Sequence, residues 1–146
     1  MVAVGDVAPD FEAPDQDGTT FRLSSLKGSP VVLYFYPKAD TTGCTIESKG
    51  FRDESPAYAA RHVKVVGVSV DDCPSQKAFA KKYALPFTLV ADSSKSVATR
   101  YGVLGPHGSA RRVTFLIGPD GKVLEVIDTS SPGTHLEKAR ARFLAS

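Results

Sequence analysis

Residues 31–47 read Val31-Val32-Leu33-Tyr34-Phe35-Tyr36-Pro37-Lys38-Ala39-Asp40-Thr41-Thr42-Gly43-Cys44-Thr45-Ile46-Glu47. The unbroken β-branched and aromatic run 31–36 is typical of a strand that is buried on both faces, and Pro37 ends it. A short polar loop follows, and the pattern then predicts a helix that begins around residues 42–44. A buried strand that leads through a loop into a helix is the opening of a βαβ unit.

The same alternation continues along the chain. Residues 63–70 predict a second buried strand, which ends at Asp71-Asp72-Cys73-Pro74, and Pro74 suits the first turn of a second helix. Because strand, helix, strand and helix follow in this order, the two strands are expected to be adjacent and parallel, with helices covering the sheet.

The second half of the chain has a different pattern. Residues 113–117 and 123–127 flank the turn Gly118-Pro119-Asp120-Gly121 and predict an antiparallel hairpin, and a last helix is expected from about Thr134. Asp17-Gly18 predicts another hairpin near the N-terminus. The fold class is therefore α/β with a thioredoxin-like arrangement: a central mixed β-sheet flanked by helices, with an N-terminal β-hairpin extension.

Composition excludes several classes of protein. The 146 residues fit a single domain, 1–146, and the apolar share of 42% and charged share of 23% are those of a soluble globular protein. A net charge of +2 without a basic run argues against nucleic acid as a partner. The longest apolar run, 31–36, is too short to cross a membrane, and the chain start lacks the order of a secretory signal.

Cysteine and histidine usage narrows the chemistry. Two cysteines do not make a disulfide framework, so we expect a reducing, cytoplasmic setting. The three histidines, His62, His107 and His135, lie far apart without the spacing of metal ligands. We therefore expect neither a metal site nor a cofactor.

The reactive group predicted from these patterns is Cys44. Sites in open α/β sheets form beyond the carboxyl ends of the strands, and a cysteine in the first turn of a helix lies beside unpaired N–H groups and the positive end of the helix dipole. Both favour the thiolate, and Gly43 lets the backbone approach a ligand closely. Thiolate formation alone accelerates such a reaction only about threefold, because nucleophilicity falls with basicity. Donors such as Thr41 Oγ1 and a guanidinium are therefore also needed.

Pro37-x-x-x-Thr41-x-x-Cys44 resembles the peroxiredoxin active-site pattern at every defined position. The flanking residues Phe35-Tyr36 and Thr45-x-Glu47 are similar to the peroxiredoxin Q branch, also called bacterioferritin comigratory protein. Further matching motifs are distributed almost from end to end: Gly5-x-x-Ala8-Pro9-Asp10-Phe11, Leu26-Lys27-Gly28, Gly67-Val68-Ser69-x-Asp71, Tyr101-Gly102-Val103 and Arg112-Val113-Thr114-Phe115-Leu116-Ile117.

The resemblance implies a thiol-dependent peroxidase whose nucleophile is Cys44. By the same resemblance Thr41 bonds the peroxide and Arg112 holds the thiolate and the transition state. Pro37 shields the pocket, and the N–H groups of Gly43 and Cys44 are further donors. Glu47 is similar to a family glutamate near the arginine. The implied partners are a peroxide, hydrogen peroxide or an organic hydroperoxide, and an external thiol reductant such as thioredoxin or a small thiol.

Each of these residues also has a plainer interpretation. Cys44 alone is more often an inert small hydrophobe, and Thr41 is otherwise only a helix cap. Arg112, within an Arg111-Arg112 pair, is otherwise a solvated strand start, and Glu47 is equally well a charge on a helix surface. Tyr34 and Tyr36 are expected in the core rather than in contact with substrate.

The sequence departs from the family pattern at three places. Lys49 stands where many members have a resolving cysteine, Thr42 stands where proline is common, and the loop between Gly102 and Arg111 is short. Cys73 is then the only possible resolving cysteine within the chain. The favoured interpretation is that Cys73 is a partly buried small residue and that an external thiol reduces Cys44 directly, in a monomer or weak homodimer.

Two other functions are compatible with a reactive cysteine in a thioredoxin-like fold. A dithiol oxidoreductase needs two cysteines separated by two residues, and Thr41 occupies the place of the second. A non-enzymatic thiol redox sensor would use the same reactive Cys44 without turnover, so the number of peroxide molecules consumed per chain separates the sensor from the enzyme.

Overall fold

The computed structural model of this chain describes residues 1–145. Two short strands come first and form a separate antiparallel hairpin: β1 (Glu12–Pro14) and β2 (Thr20–Arg22). After a 3₁₀ turn at Leu23–Leu26, the remaining elements are β3 (Val31–Phe35), α1 (Thr42–Ala60), β4 (Lys64–Ser69), α2 (Cys73–Lys82), β5 (Thr88–Ala91), α3 (Ser96–Tyr101), β6 (Val113–Ile117), β7 (Val123–Asp128) and α4 (Pro132–Phe143).

The main sheet has five strands in the order β5-β4-β3-β6-β7. Strands β3, β4 and β5 run parallel, whereas β6 and β7 are antiparallel to their neighbours. The mixed sheet and the parallel pairing of β3 with β4 confirm the predicted arrangement. The central position of β3 explains its composition, because both of its faces lie in the core.

Successive side chains of β3 enter opposite layers, as the pleat of a strand requires. Val31, Leu33 and Phe35 pack into one core cluster, together with α3 and the N-terminal segment. Val32 and Tyr34, followed by Tyr36 just after the strand, pack into the other cluster beneath α1, α2 and α4. Tyr34 and Tyr36 are fully buried and stacked on one another, with ring centroids 5.4 Å apart, so both belong to the core as expected.

The helices that flank the site begin close to the predicted positions. Helix α2 starts at Cys73, with Pro74 in its first turn, and Asp72 caps it by accepting a hydrogen bond from the Ser75 N–H. Helix α4 starts at Pro132, two residues before the expected Thr134, because proline is well suited to the first helical turn.

Two elements were not predicted. Strand β5 has only four residues, too few to show a periodic pattern, and its identity depends on pairing with β4. Helix α3 has six residues and follows Lys95, whose φ of 65° is left-handed, without a side-chain cap. None of the helices within residues 1–145 has the length and apolar character needed to cross a membrane.

Candidate active site

The register of the sheet brings two distant parts of the chain to one edge. Phe35, the last residue of β3, pairs with Val113, the first residue of the antiparallel strand β6. Arg112 therefore lies where β3 ends and where the following loop leads into α1. Because β3 and β4 are parallel, the start of α2 also lies at this edge of the sheet.

Cys44 lies in the first turn of α1, three residues after the N-cap residue Thr41. The first intrahelical bond is donated by the Thr45 N–H to the Thr41 carbonyl at 2.8 Å, so the N–H groups of residues 42–44 have no acceptor within the helix. The Cys44 side chain is fully buried, and its Sγ accepts a hydrogen bond from Arg112 Nη2 at 3.4 Å. The helix N-terminus and the guanidinium both stabilise a thiolate at this position.

Arg112 connects Cys44 to Glu47, one turn further along α1. Arg112 Nη1 donates to Glu47 Oε1 at 2.7 Å, and the Glu47 side chain is fully buried whereas Arg112 is 10% exposed. Cys44 and Glu47 are three residues apart and therefore share one face of the helix. Glu47 is thus not a surface charge. Burial raises the pKa of Glu47 to about 7, although the charge of Arg112 acts in the opposite direction.

Gly43 allows the guanidinium to approach the helix. A Cβ atom on Gly43 would lie 2.8 Å from Arg112 Nη2, which is inside van der Waals contact. The same atom would lie 3.7 Å from Pro132 Cγ at the start of α4. A side chain at position 43 would therefore push the guanidinium away from its present place, so glycine matters here for space rather than for a special backbone angle.

We expect Gly43→Ala to reduce the rate constant of Cys44 with hydrogen peroxide by about tenfold or more, because displacing a positioned donor by about 1 Å has effects of that size. Stopped-flow measurement of the reduced protein gives this constant. Gly133→Ala is the matched control, since no atom lies within 4 Å of a Cβ placed there. Equal rates in wild type and Gly43→Ala would contradict the steric role of Gly43.

The loop between β3 and α1 carries Pro37 and Thr41. Pro37 is half-buried, and Thr41 is exposed, with Oγ1 donating to the Lys38 carbonyl at 2.7 Å. In the described chain the Thr41 side chain makes no capping bond to α1. The Thr41 hydroxyl donates its hydrogen to the Lys38 backbone carbonyl, so the lone pairs of Oγ1 remain available as acceptors.

Contacts with α2 and its approach anchor this loop. The Ala39 N–H donates to Asp71 Oδ2 at 2.8 Å, and Asp40 accepts from Lys82 Nζ at 3.0 Å and from the Tyr83 hydroxyl at 2.8 Å. Asp40 has a φ of 60°, an uncommon conformation for a residue other than glycine. The loop that leads to Cys44 is therefore held at two successive residues.

Cys73 lies at the same sheet edge as Cys44 but in a different setting. It is the first residue of α2 and is partly exposed, whereas Cys44 is fully buried. Both are free thiols in the described chain. Arg111, the neighbour of Arg112, points elsewhere and pairs with Asp128 at 2.6 Å.

Thr114 and His135 also belong to the site, although their sequence positions gave them no predicted role in it. Thr114 Oγ1 lies 2.7 Å from His135 Nδ1, and the same ring nitrogen lies 3.6 Å from Glu47 Oε2. His135 precedes Ala139 by four residues and so shares a helix face with this apolar residue, and that spacing was the available signal that His135 faces inward. Among the described residues, no group of three or more His, Cys, Asp or Glu side chains is placed to hold a metal ion.

Comparison with known sequences finds relatives over most of the chain. Residues 4–126 match the model of the AhpC/TSA family. Peroxiredoxin Bcp of Escherichia coli K12 is 38% identical over 138 residues, which are 90% of this chain and 88% of that protein. Chloroplastic peroxiredoxin Q of Triticum aestivum is 51% identical over 102 residues, which are 70% of this chain and 47% of that protein.

Solved structures give the same result. Peroxidoxin BcpB from Mycobacterium tuberculosis superposes with a TM-score of 0.92 at 41% identity, and the match covers 100% of both chains. Peroxiredoxin Q from Xanthomonas campestris gives a TM-score of 0.87 at 27% identity over 99% of this chain and 96% of that one. The chain therefore belongs to the AhpC/TSA family, in its peroxiredoxin Q and Bcp branch, whose members are thiol-dependent peroxidases.

Proposed function

We propose that a single domain of residues 1–146 carries the peroxidase reaction and that Cys44 is its nucleophile. The observation that carries this proposal is the contact between a fully buried Cys44 Sγ at a helix N-terminus and the guanidinium of Arg112. The thiolate attacks the terminal oxygen of the peroxide, and the O–O bond breaks. Cys44 becomes a sulfenic acid, and the leaving oxygen takes up a proton to form water or an alcohol.

The residues around the sulfur supply what this step needs. Arg112, which contacts Sγ, and the unpaired N–H groups of Gly43 and Cys44 are the donors that stabilise the negative charge developing on the leaving oxygen in this proposal. Thr41 Oγ1 accepts the peroxide hydrogen, since its own hydrogen is given to the Lys38 carbonyl. Pro37, which is half-buried in the loop after β3, shields the sulfur in this proposal.

The substrates we propose are hydrogen peroxide and organic hydroperoxides. The Xanthomonas campestris bacterioferritin comigratory protein, which has been studied for alkyl peroxide reduction, superposes on this chain with a TM-score of 0.88 at 26% identity.

An external thiol completes the cycle in this proposal. One thiol condenses with the sulfenic acid to a mixed disulfide and releases water, and a second thiol releases reduced Cys44 together with the disulfide of the reductant. Lys49 provides no sulfur at the usual resolving position, and Cys73 belongs to a separate, capped helix start. A reducing compartment such as the cytoplasm supplies thioredoxin or small thiols, and a monomer or weak homodimer suffices for this chemistry.

Wild type and Cys73→Ser should both consume many equivalents of hydrogen peroxide per chain when dithiothreitol is present. Peroxide consumption and mass spectrometry of the oxidised protein test this, and we expect no stoichiometric Cys44–Cys73 disulfide. Consumption of a single equivalent per chain would instead identify a redox sensor. A Cys44–Cys73 bond, with loss of thioredoxin-supported turnover in Cys73→Ser, would establish Cys73 as the resolving cysteine.

A further inference from the structure

The tautomer of His135 follows from its contacts. His135 Nε2 lies 2.7 Å from the Thr129 carbonyl oxygen, which only accepts hydrogen bonds, so Nε2 carries a hydrogen. In the neutral ring Nδ1 is then an acceptor, and the Thr114 hydroxyl donates to it at 2.7 Å. The ring is fully buried and held on both sides, so its orientation is fixed.

With this tautomer, the acceptor nitrogen Nδ1 of His135 lies opposite a carboxylate oxygen of Glu47, which is also an acceptor. Glu47 Oε2 lies 3.6 Å from His135 Nδ1, is buried, and has no hydrogen-bond partner among residues 1–145. Glu47 Oε1, by contrast, accepts from Arg112. With both groups deprotonated, Glu47 Oε2 would lie without a donor beside a nitrogen that already accepts from Thr114, in a site without solvent, which is unfavourable. A proton on Glu47 or on His135 Nδ1 removes the conflict, because the Thr114 hydroxyl can rotate either to release the Nδ1 lone pair or to accept from Nδ1–H.

Burial disfavours a charge on either group, so it favours a protonated Glu47 and a neutral His135. It raises the pKa of Glu47 to about 7 and lowers the pKa of His135 below its ordinary value. Charged or titratable groups approach the pair from each element packed against it: Cys44 on α1, Tyr34 on β3, Arg112 before β6, and Asp128 at the end of β7, which itself pairs with Arg111.

We propose that, besides the hydrogen on His135 Nε2, the buried Glu47–His135 pair holds one further proton while Cys44 is a thiolate. In this proposal His135 is a positioning residue that acts through Glu47 and Arg112. With that proton the site is neutral overall, because the positive Arg112 balances the negative Cys44. Without it, the Glu47 carboxylate competes with the sulfur for Arg112 and leaves a net negative charge beside the developing leaving group. The inference rests on the proposed function of Cys44.

The pH profile of the reaction with hydrogen peroxide tests this inference. The rate constant of wild type should fall several-fold above about pH 7 as the pair loses its proton. Glu47→Gln should lack this fall, since the amide cannot ionise: its oxygen accepts from Arg112 while its N–H faces His135 Nδ1. Persistence of the alkaline fall in Glu47→Gln would overturn the proposal.

A double-mutant cycle separates positioning from packing. Below about pH 7, where wild type keeps the proton, His135→Asn should lower the rate constant several-fold in the wild-type background, but less than about twofold in the Glu47→Gln background. A merely structural role of His135 predicts equal losses in both backgrounds, and that result would reject our proposal. His62→Asn is the matched control, because His62 is exposed with a left-handed φ of 59° that asparagine tolerates.

Spectroscopy of the reduced protein locates the proton without turnover. The infrared difference between wild type and Glu47→Gln at neutral pH should contain a protonated-carboxyl band, or the ¹⁵N spectrum should show His135 protonated on both nitrogens. A neutral ring without a carboxyl band would overturn the inference even in an active enzyme. A protein that shows the proton but does not turn over peroxide would contradict the proposed function instead.

Discussion

Replacing Cys44 with serine should abolish peroxide consumption, with a loss of more than about a thousandfold, as is usual when an enzyme loses its nucleophile. A serine hydroxyl is not ionised near neutral pH, and neither the helix N-terminus nor Arg112 makes it a comparable nucleophile. The fold should persist, because the smaller hydroxyl fits the same buried position and can donate or accept hydrogen bonds there. Peroxide consumption with excess dithiothreitol and a thermal melt measure the two expectations.

Cys73→Ser is the matched control for Cys44→Ser, since it removes the other thiol of the chain and leaves the site intact. Titration of free thiols before and after one equivalent of hydrogen peroxide adds a stoichiometric readout. Retention of a tenth of wild-type turnover in Cys44→Ser would place the chemistry at another residue.

Replacing Arg112 with alanine should reduce the rate constant with peroxide by about a hundredfold to a thousandfold, the usual effect of removing one donor from a transition state. It removes the bond to Cys44 Sγ and also leaves the buried Glu47 without its cation. Loss of one partner of a buried ion pair costs about 3–5 kcal/mol of stability, and proton uptake by Glu47 reduces this cost. Stopped-flow kinetics and thermal melts measure both effects.

Arg112→Lys distinguishes charge from geometry. Lysine keeps the positive charge but lacks the planar fork that reaches both Glu47 and Cys44, so its activity should lie between those of wild type and Arg112→Ala. Arg111→Ala is the control, because it removes only the partly exposed pair with Asp128. Equal activity of Arg112→Ala and Arg111→Ala would show that the guanidinium beside the sulfur has no catalytic role.

Local sequence patterns were sufficient to predict the secondary-structure elements around β3. The run of apolar residues through Tyr36 indicated burial on both faces, and Pro37 marked the end of the strand before the loop to α1. Strand β5 and helix α3 escaped prediction because four and six residues are too short for a period to be visible. Their formation depends on pairing and packing with distant parts of the chain.

Local sequence is enough to identify the fold class, the strand–loop–helix around Cys44 and the Thr41–Cys44 spacing that carries the family pattern. The family resemblance also named Arg112 rather than the adjacent Arg111, but the contact of Arg112 with the sulfur depends on the pairing of Phe35 with Val113, because Cys44 and Arg112 are 68 residues apart. Tertiary packing alone buries Glu47 and turns His135 toward it from α4. Periodicity reports how deeply a residue is buried, whereas its partner is set by strand register and helix docking, and these depend on the whole chain.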